Sequence, residues 1–251
     1  MQLRDQFEAD GDWLFRHRSL VPLLLVPVCI VALSGVEFAR SHAALRMIDI
    51  AACGLAGLGL LVRACVVGFV APGTSGRNIR RQRADVLNTT GVYSIVRHPL
   101  YVGNFLVVLG WTLACGNLWL LLTVVLLYIL YYERIAIREE AFLLSRFGEA
   151  FLIWAASTPA CLPRRWQWTS PGRKYRWSRL ARREYQTVCV VVVGFVTVHL
   201  LRALLVPADA ASARLWIAVG LADAAIFAIL WLAFHLRRPS KAVAGVTAAE
   251  S

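Results

Sequence analysis

Six long apolar runs constrain the fold of this chain more than any other feature. They cover Ser19–Phe38, Ile48–Val70, Pro99–Ala114, Leu118–Tyr132, Thr187–Val206 and Leu215–Leu236. A helix needs roughly 20 apolar residues to cross the hydrocarbon of a membrane. Of the 251 residues, 59% are hydrophobic and only 17% are charged, so a single aqueous core could not bury these runs. We therefore predict an all-α, polytopic membrane bundle of about six transmembrane helices and exclude an ordinary soluble enzyme.

The third and fourth runs are separated only by the tripeptide Cys115-Gly116-Asn117. Gly and Asn tolerate the left-handed backbone conformation in which helices commonly end. This short break predicts a tight helical hairpin at the centre of the bundle.

The basic residues indicate how the bundle is oriented. The chain has 27 Lys and Arg residues against 15 Asp and Glu, a net charge of +12. With alternate loops assigned to opposite sides of the membrane, 22 basic residues fall on one side and three on the other, while Arg63 and Arg202 lie inside spans. Cytoplasmic loops are enriched in Lys and Arg. We therefore expect a protein of a bacterial inner membrane with both termini facing the cytoplasm, and we expect Arg202 to snorkel outward.

The six cysteines match neither a disulfide framework nor a zinc motif. Four lie within apolar runs, Cys115 lies in the hairpin turn and Cys161 in a loop. The sequence contains no C-x-x-C pair and no Cys/His cluster with zinc-ligand spacing. We expect these cysteines to pack as small apolar residues, and we expect no metal site.

A polar tripeptide, Arg97-His98-Pro99, leads into the third run. Pro99 suits the first turn of a helix, so Arg97 and His98 are expected at a helix N-terminus on the membrane surface. Exposed backbone amides at such a position favour anions. The structural alternative is that Arg97 snorkels to lipid phosphate and that His98 caps the helix.

The fourth run continues into a charged segment without a helix breaker before Gly148. The helix is therefore expected to extend three to four turns beyond the bilayer. At about 1.5 Å per residue, Glu133-Arg134 should lie nearly level with His98, and Glu139-Glu140 about 8–9 Å beyond it. These groups can outline one pocket, whereas a solvated, charged helix end is the structural alternative.

A longer motif surrounds these residues. It reads Gly91-x-Tyr93-x-x-x-Arg97-His98-Pro99-x-Tyr101-x-Gly103, followed by Glu139-Glu140-x-x-Leu143-x-x-x-Phe147-Gly148 and Pro159-x-x-x-Pro163. In order and spacing, these motifs resemble the signature of the isoprenylcysteine carboxyl methyltransferase and phospholipid methyltransferase superfamily. Arg63 also resembles an arginine that is common in that superfamily's second span. The resemblance covers residues 48–163.

The resemblance implies a membrane-embedded methyltransferase that takes S-adenosylmethionine from the cytosol, lacks a Rossmann domain and receives a lipid or lipidated acceptor from the bilayer. It assigns the cofactor pocket to Tyr93, His98, Pro99, Tyr101, Gly103, Glu139 and Glu140. We expect catalytic roles for Arg97, His98, Arg134 and Glu140, and acceptor binding by Arg63 and Asn104. Aromatic rings can face a sulfonium cation, and carboxylates can accept hydrogen bonds from ammonium or hydroxyl groups.

The chemistry of the acceptor stays open among a carboxylate, a phosphate and an amine. Methyl transfer is a single in-line displacement, so catalysis consists mainly of placing the acceptor atom. An amine must lose a proton, for which His98 or a glutamate is suited. An anionic acceptor needs an arginine to orient it, and Arg63 and Arg134 are the candidates. Because Arg63 lies inside a span, it is a functional candidate by default, although it could also snorkel to the interface.

The chain departs from the superfamily in two places. Phe151 and Trp154 stand where many members have tyrosines, and residues 164–251 extend beyond the common core. We divide the chain into an N-terminal segment with the first span (1–47), a methyltransferase-like core (48–163) and an extension with a basic linker, two spans and a disordered tail (164–251). The linker interleaves Arg with Trp and Tyr, which favours an anionic membrane surface as its partner over nucleic acid.

Two other classes of function remain open. Membrane steroid-type reductases that use a reduced nicotinamide cofactor have a similar Arg-x-Pro-x-Tyr-x-Gly motif, typically with an acidic residue in an Asn-Tyr-x-Gly-Asp or Asn-Tyr-x-Gly-Glu context. Here Leu100 and Asn104 occupy the corresponding positions, and the Glu-Glu and Phe-Gly continuation favours methyl transfer. The other class is a non-catalytic scaffold or a small transporter, but matched broken helices typical of transporters are not evident. The sequence also leaves the oligomeric state open.

Overall fold

The fold is helical in the part of the chain that the computed structural model describes, namely residues 10, 11, 13, 14, 16, 17, 25–34, 42–70, 84–205 and 212–236. A 3-10 turn at Val92–Ser94 precedes α3, and within the described ranges the only strand-like feature is one isolated bridge between Gly91 and Thr169. The prediction of an all-α fold is confirmed. The helices are α1 (Leu25–Ser34), α2 (His42–Phe69), α3 (Pro99–Ala114), α4 (Leu118–Phe147), α5 (Glu149–Ser157), α6 (Trp177–Leu205) and α7 (Ala213–Leu236).

Four of these helices, α2, α4, α6 and α7, are apolar enough to cross a membrane and have 24 to 30 residues. The chain is therefore an integral membrane protein, as predicted. The third predicted span matches α3, which has 16 residues. Parts of the first predicted span (19–24 and 35–38), residues 71–83 and the predicted tail 241–251 lie outside the described residues. The count of six spans and the side on which the termini lie stay predictions.

Two spanning helices begin earlier than their apolar runs. α2 begins at His42 rather than Ile48, and α6 begins at Trp177 rather than Thr187. An apolar run marks the part of a helix that suits hydrocarbon, whereas backbone hydrogen bonding continues into polar residues that form helix well. α4 extends to Phe147, as the lack of a breaker before Gly148 predicts. α5 is an additional helix that the apolar pattern does not predict.

The hairpin between α3 and α4 is confirmed. Cys115 ends α3, and Gly116 adopts a φ of 70°, in the left-handed region that glycine enters without a Cβ clash. Asn117 precedes α4, and its Oδ1 accepts a hydrogen bond from the Leu120 N–H at 3.0 Å. This side chain satisfies one of the donors that a helix N-terminus leaves without an intrahelical partner.

Helices α2 and α3 form the most extensive helix pair, and small residues allow their close approach. A Cβ built at Gly59 would lie 2.5 Å from the Gly103 carbonyl oxygen, and one built at Gly110 would lie 2.6 Å from that of Ala52. In a membrane, helices associate through such small-residue contacts because lipid is as apolar as the side chains themselves. This pairing fixes the position of α3, at whose start Arg97 and His98 lie.

The residues after 163 are packed into the same bundle. The Arg176 N–H donates to the Gly68 carbonyl at 3.0 Å, and the Arg179 guanidinium donates to the Val70 carbonyl. Carbonyls at the end of a helix have no intrahelical donor, so the start of α6 caps the end of α2. The C-terminal extension is thus in direct contact with the helix that carries Arg63.

The expectation that Arg202 snorkels outward was wrong. Arg202 is buried, and its Nη1 donates to Asp49 Oδ1 at 2.6 Å and to the Ala114 carbonyl at 3.0 Å. A carboxylate on the facing helix and a helix-end carbonyl solvate the guanidinium inside the bundle, so it has no need to reach the membrane surface.

Candidate active site

The backbone around Arg97 and His98 is held beside the segment that follows α5. The Arg97 N–H donates to the Pro159 carbonyl and the His98 N–H to the Ala160 carbonyl, each at 2.9 Å. His98 directly precedes α3, and Pro99 occupies the first turn, as predicted. The His98 side chain makes no capping hydrogen bond to the helix, and it contacts α4 instead.

Arg97 joins α4 to the end of α5. Its Nε donates to Glu140 Oε1 at 2.8 Å, and its Nη1 donates to the carbonyls of Ala155 and Thr158, both at 2.8 Å. Carbonyls at a helix C-terminus carry partial negative charge. The positive charge of Arg97 therefore neutralises both the Glu140 carboxylate and the negative end of α5. Its guanidinium is occupied by these contacts within the protein.

His98 lies between two carboxylates. Its Nε2 is 2.9 Å from Glu140 Oε1, and its Nδ1 is 3.6 Å from Glu139 Oε2. Burial alone lowers the pKa of His98, but its hydrogen bonds to Glu139 and Glu140, together with their charges, outweigh burial and raise the pKa to about 9. At pH 7 the imidazole is therefore a cation that binds both carboxylates.

Tyr101 contacts Glu139, and the charge of Glu139 also acts on Tyr93. The Tyr101 hydroxyl donates to Glu139 Oε2 at 2.7 Å, and its ring stacks on His98 with centroids 5.4 Å apart. Burial, followed by the charge of Glu139, raises the pKa of Tyr93, so its phenol stays neutral. The Glu139 side chain is 36% exposed. The site therefore combines an accessible carboxylate with aromatic groups.

The side chains of Glu139 and Glu140 lie closer to His98 than the rise along the helices alone indicates. Helix rise placed Glu139-Glu140 about 8–9 Å beyond His98, whereas the structure brings both carboxylates into contact with that imidazole. The helical rise measures only backbone height along parallel axes, but the side chains extend several ångströms and close the difference. The expected level of Glu133-Arg134 with His98 stays a prediction.

A second ion pair lies within the bundle, around Arg63. Its Nε and Nη2 donate to the two oxygens of Glu184 at 2.8 and 2.9 Å, and its Nη1 donates to Asn104 Oδ1 at 2.6 Å. The side chains of Arg63 and Glu184 are only 13% and 10% exposed. Arg63 and Asn104 are thus neighbours, as their assignment to one acceptor site implies, but Arg63 is already paired with a carboxylate of the extension.

The two ion pairs are connected by aromatic residues. Asn104 Nδ2 donates to the Tyr132 hydroxyl at 3.4 Å, and the Tyr132 ring lies 4.6 Å from that of Tyr101. Tyr128 stacks on Tyr132 with centroids 4.2 Å apart, and its hydroxyl donates to the Tyr101 carbonyl at 2.7 Å. A polar and aromatic path therefore runs from the start of α3 into the apolar part of the bundle.

Comparison with known proteins places these residues in a family. A family model described as phospholipid methyltransferase matches residues 51–150. The nickel-cobalt-cadmium resistance protein NccN of Alcaligenes xylosoxydans xylosoxydans is 33% identical over 156 residues, which cover 61% of this chain and 67% of that protein. The protein-S-isoprenylcysteine O-methyltransferase of Schizosaccharomyces pombe is 36% identical over 85 residues, covering 34% of this chain and 36% of that enzyme. The chain belongs to the isoprenylcysteine and phospholipid methyltransferase superfamily.

A third relative also matches over about a third of the chain. The cobalt-zinc-cadmium resistance protein CzcN of Cupriavidus metallidurans is 38% identical over 86 residues, covering 34% of this chain and 39% of that protein. The chain thus spans little more than a third of the length of CzcN and of the yeast enzyme. No solved structure matches the chain.

Two further residues assigned to the site, Arg134 and Gly103, make other contacts in the structure. Arg134 Nη1 is 2.8 Å from Glu133 Oε2, its neighbour in the chain, so this pair does not join Arg134 to the His98 cluster. Gly103 faces α2, where an added Cβ would lie 2.8 Å from Arg63 Cγ and 2.9 Å from the Gly59 carbonyl oxygen. The structure therefore gives Gly103 a packing role beneath Arg63.

Three residues outside the superfamily motif contribute to the site. Trp154 donates from its indole N–H to the Tyr93 carbonyl at 3.1 Å, so an indole supports the loop where many superfamily members have a tyrosine. Tyr132 connects the two ion pairs, and Glu184 neutralises Arg63. Glu184 did carry a sequence signal, because it is the single acidic residue in 164–206, just before an apolar run.

The described residues contain no group of three or more His, Cys, Asp or Glu side chains arranged to hold a metal ion. The six cysteines are free thiols.

Proposed function

We propose that the chain is an integral-membrane methyltransferase that transfers a methyl group from S-adenosylmethionine to a lipid or lipidated acceptor. The contact that carries this proposal is the 2.9 Å approach of His98 to Glu140, 42 positions apart, because it unites the two motifs of the superfamily at one point. The cofactor enters from the cytosol and the acceptor from the bilayer. The basic residues support a site facing the cytoplasm, and the bacterial relatives support an inner-membrane location.

The residues around Glu139 fit such a cofactor. S-adenosylmethionine supplies an electrophilic methyl group on a positively charged sulfur. Glu139 offers a carboxylate that is partly exposed, which can accept from an ammonium or from hydroxyl groups. The rings of Tyr93 and Tyr101 can face a cation. We assign binding to these three residues, with His98, Pro99 and Glu140 holding them in place.

The protonation of His98 decides which group can act as a base. With a pKa of about 9 it already carries a proton at neutral pH. It therefore orients Glu139 and Glu140 but cannot accept a proton from an amine. If the acceptor is an amine, its proton passes to a carboxylate, and Glu139 is more exposed than Glu140. A carboxylate or phosphate acceptor loses no proton.

The arginines restrict how an anionic acceptor could be held. Arg97 is paired with Glu140 and Arg63 with Glu184. If Arg63 or Arg97 held a carboxylate or phosphate acceptor, that acceptor would share or displace an internal carboxylate, whereas an amine acceptor would not. The proposal covers all three acceptor types, and the chemical identity of the methylated product distinguishes them.

Ligand binding by the purified protein tests the cofactor. We expect S-adenosylhomocysteine to raise the unfolding temperature of the detergent-solubilised protein, and NADPH to leave it unchanged. Stabilisation by NADPH alone would support the reductase, and stabilisation by neither would support a scaffold or transporter.

Methyl transfer is tested with methyl-labelled S-adenosylmethionine in membranes. We expect label in a lipid or lipidated fraction, and loss of that label in H98A and E140A. S145A is the matched control, because Ser145 lies exposed on α4 and bonds only within its own helix among the contacts that the structure gives. Undiminished labelling in both site variants would contradict the assignment. Mass spectrometry of the labelled fraction then identifies the product that has gained one methylene.

A further inference from the structure

Glu184, in the C-terminal extension, forms an ion pair with the core next to the candidate site. It lies in the first half of α6 and is 8% exposed. Both of its oxygens accept from Arg63, at 2.8 and 2.9 Å. This two-pronged geometry fixes the guanidinium plane as well as neutralising its charge.

The surroundings of Arg63 leave it few other conformations. Its stem crosses α3 at Gly103, where any side chain would collide with it. Thr187, three positions after Glu184 and on the same face of α6, accepts from Arg63 Nη2 at 3.4 Å. With Nε and Nη2 taken by α6, Nη1 is directed to Asn104 Oδ1 at 2.6 Å.

Asn104 connects the fixed guanidinium of Arg63 to the residues around His98. Because its Oδ1 accepts from Arg63, its amide nitrogen is turned to the Tyr132 hydroxyl, 3.4 Å away. Tyr132 contacts the Tyr101 ring, and the Tyr101 hydroxyl donates to Glu139. A continuous series of contacts thus connects Glu184 with the accessible carboxylate of the site.

We propose that Glu184 is a positioning residue of the methyl-transfer site, which acts through Arg63 and Asn104 on Tyr101 and Glu139. The inference rests on the proposed function. It makes the C-terminal extension a part of the active site, and it makes Arg63 an internal clamp rather than the group that receives the acceptor.

The first test compares E184Q with T197V, a control on the exposed side of the same helix whose hydroxyl bonds to the Val193 carbonyl. Gln keeps the size of Glu but has one oxygen and no charge, so Arg63 loses its two-pronged partner. Below the unfolding temperature, we expect S-adenosylhomocysteine to bind E184Q about tenfold more weakly, with T197V equal to the wild type. Equal affinity in E184Q and the wild type would overturn the inference.

A double-mutant cycle between Glu184 and Asn104 tests the route of the effect. If Glu184 acts through Asn104, then N104A already removes the connection, and E184Q adds little further loss of ligand affinity in the double variant. The same cycle is applied to kcat and KM of labelled methyl transfer. Losses that multiply, as expected for independent sites, would overturn the proposed route.

A third variant covers the case in which E184Q does not fold. Replacing both members of a buried ion pair by apolar residues commonly preserves or raises stability, so R63M/E184L is expected to unfold near the wild-type temperature. We expect its ligand affinity to stay low, because the contact with Asn104 is lost. Wild-type affinity in this variant would show that the pair is only structural and would overturn the inference.

Failure of the proposed function gives a different pattern. In that case the wild type itself neither binds S-adenosylhomocysteine nor transfers label, and the inference falls with it. Failure of the inference alone leaves a wild type that does both and an E184Q variant that equals it.

Discussion

Two arginines at opposite ends of the bundle, Arg97 partly buried and Arg202 buried, make similar contacts in different surroundings. Arg97 donates to Glu140 and to carbonyls at the end of α5, and Arg202 donates to Asp49 and to the carbonyl at the end of α3. Each therefore binds one carboxylate and one helix terminus. The two clusters differ in what lies beside the ion pair.

Beside Arg97, the same carboxylate also binds His98, and a second carboxylate, Glu139, stays partly exposed among tyrosines. Beside Arg202, the neighbouring imidazole of His199 stacks on Trp216 with centroids 3.9 Å apart and is 1% exposed. A buried ion pair therefore does not by itself mark an active site. An additional, accessible acid beside the pair distinguishes the end of the bundle that we assign to methyl transfer.

The largest expected difference between the two clusters concerns activity. E140A removes the partner of both Arg97 and His98, and displacement of reacting groups by about 1 Å can cost about 100-fold in rate. We expect a loss of that size in labelled methyl transfer, while D49A changes the rate less than about twofold at a temperature where it is folded. E140Q, which keeps a hydrogen-bond acceptor, should lie between E140A and the wild type. A comparable loss in D49A would mean that the two clusters are not functionally distinct.

The next prediction concerns pH. The folded-state pKa of His98 is about 9, above its ordinary value of 6.5, so the folded state binds this proton more tightly than the unfolded state. The resulting stability, about 3 kcal/mol, is fully present below pH 6.5 and is lost as pH rises through 9. The unfolding temperature should therefore fall across this window in the wild type and much less in H98Q. An equal fall in both proteins would contradict the assigned proton.

The third prediction is that the Arg202 cluster contributes to the stability of the protein and not to catalysis. D49A leaves a buried guanidinium without its carboxylate, and because Asp49 is 25% exposed we expect a cost of about 2 kcal/mol, toward the lower end for such pairs. The variant D49L/R202M, which removes both charges, should recover the unfolding temperature. Failure to recover would indicate a role for this cluster beyond charge compensation.

The smallest effect concerns the packing beneath Arg63. In G103A the added Cβ meets Arg63 Cγ and a backbone oxygen within 3 Å, so we expect a loss of about 1–2 kcal/mol from overpacking. G54A is the matched control, since no atom lies within 4 Å of a Cβ at that position in α2. That variant should be neutral or slightly stabilised, because Ala forms helix better than Gly. Equal unfolding temperatures for the two variants would contradict the close approach at Gly103.

Much of the fold could be predicted because long apolar runs in the sequence mark the membrane helices. The bounds of α3 and the hairpin at Cys115–Asn117 follow from local signals, namely proline at a helix start and Gly-Asn at a turn. The starts of α2 and α6 could not be predicted in the same way, since their polar first turns carry no apolar signal. α5 was missed because its nine residues follow α4 after a single break at Gly148.

The residues of the candidate site likewise fall into those that could be predicted from the sequence and those that could not. Arg97, His98, Glu139 and Glu140 could be selected from two motifs, and the structure brings them together. Glu184 could not be assigned to Arg63, because the partners are 121 positions apart and the register of α6 against α2 has no local signature. The interpretation of Arg202 failed for a related reason, since Asp49, 153 positions away, supplies the carboxylate that keeps it buried.

The central claim is that Glu139 and its neighbours, and not the Arg202 cluster, hold the methyl donor. The most direct measurement is calorimetric titration of S-adenosylhomocysteine into the detergent-solubilised wild type, E139Q and D49L/R202M. The account predicts binding by the wild type, equal binding by D49L/R202M and about tenfold weaker binding by E139Q. Equal affinity in E139Q and the wild type, or a loss confined to D49L/R202M, would contradict it.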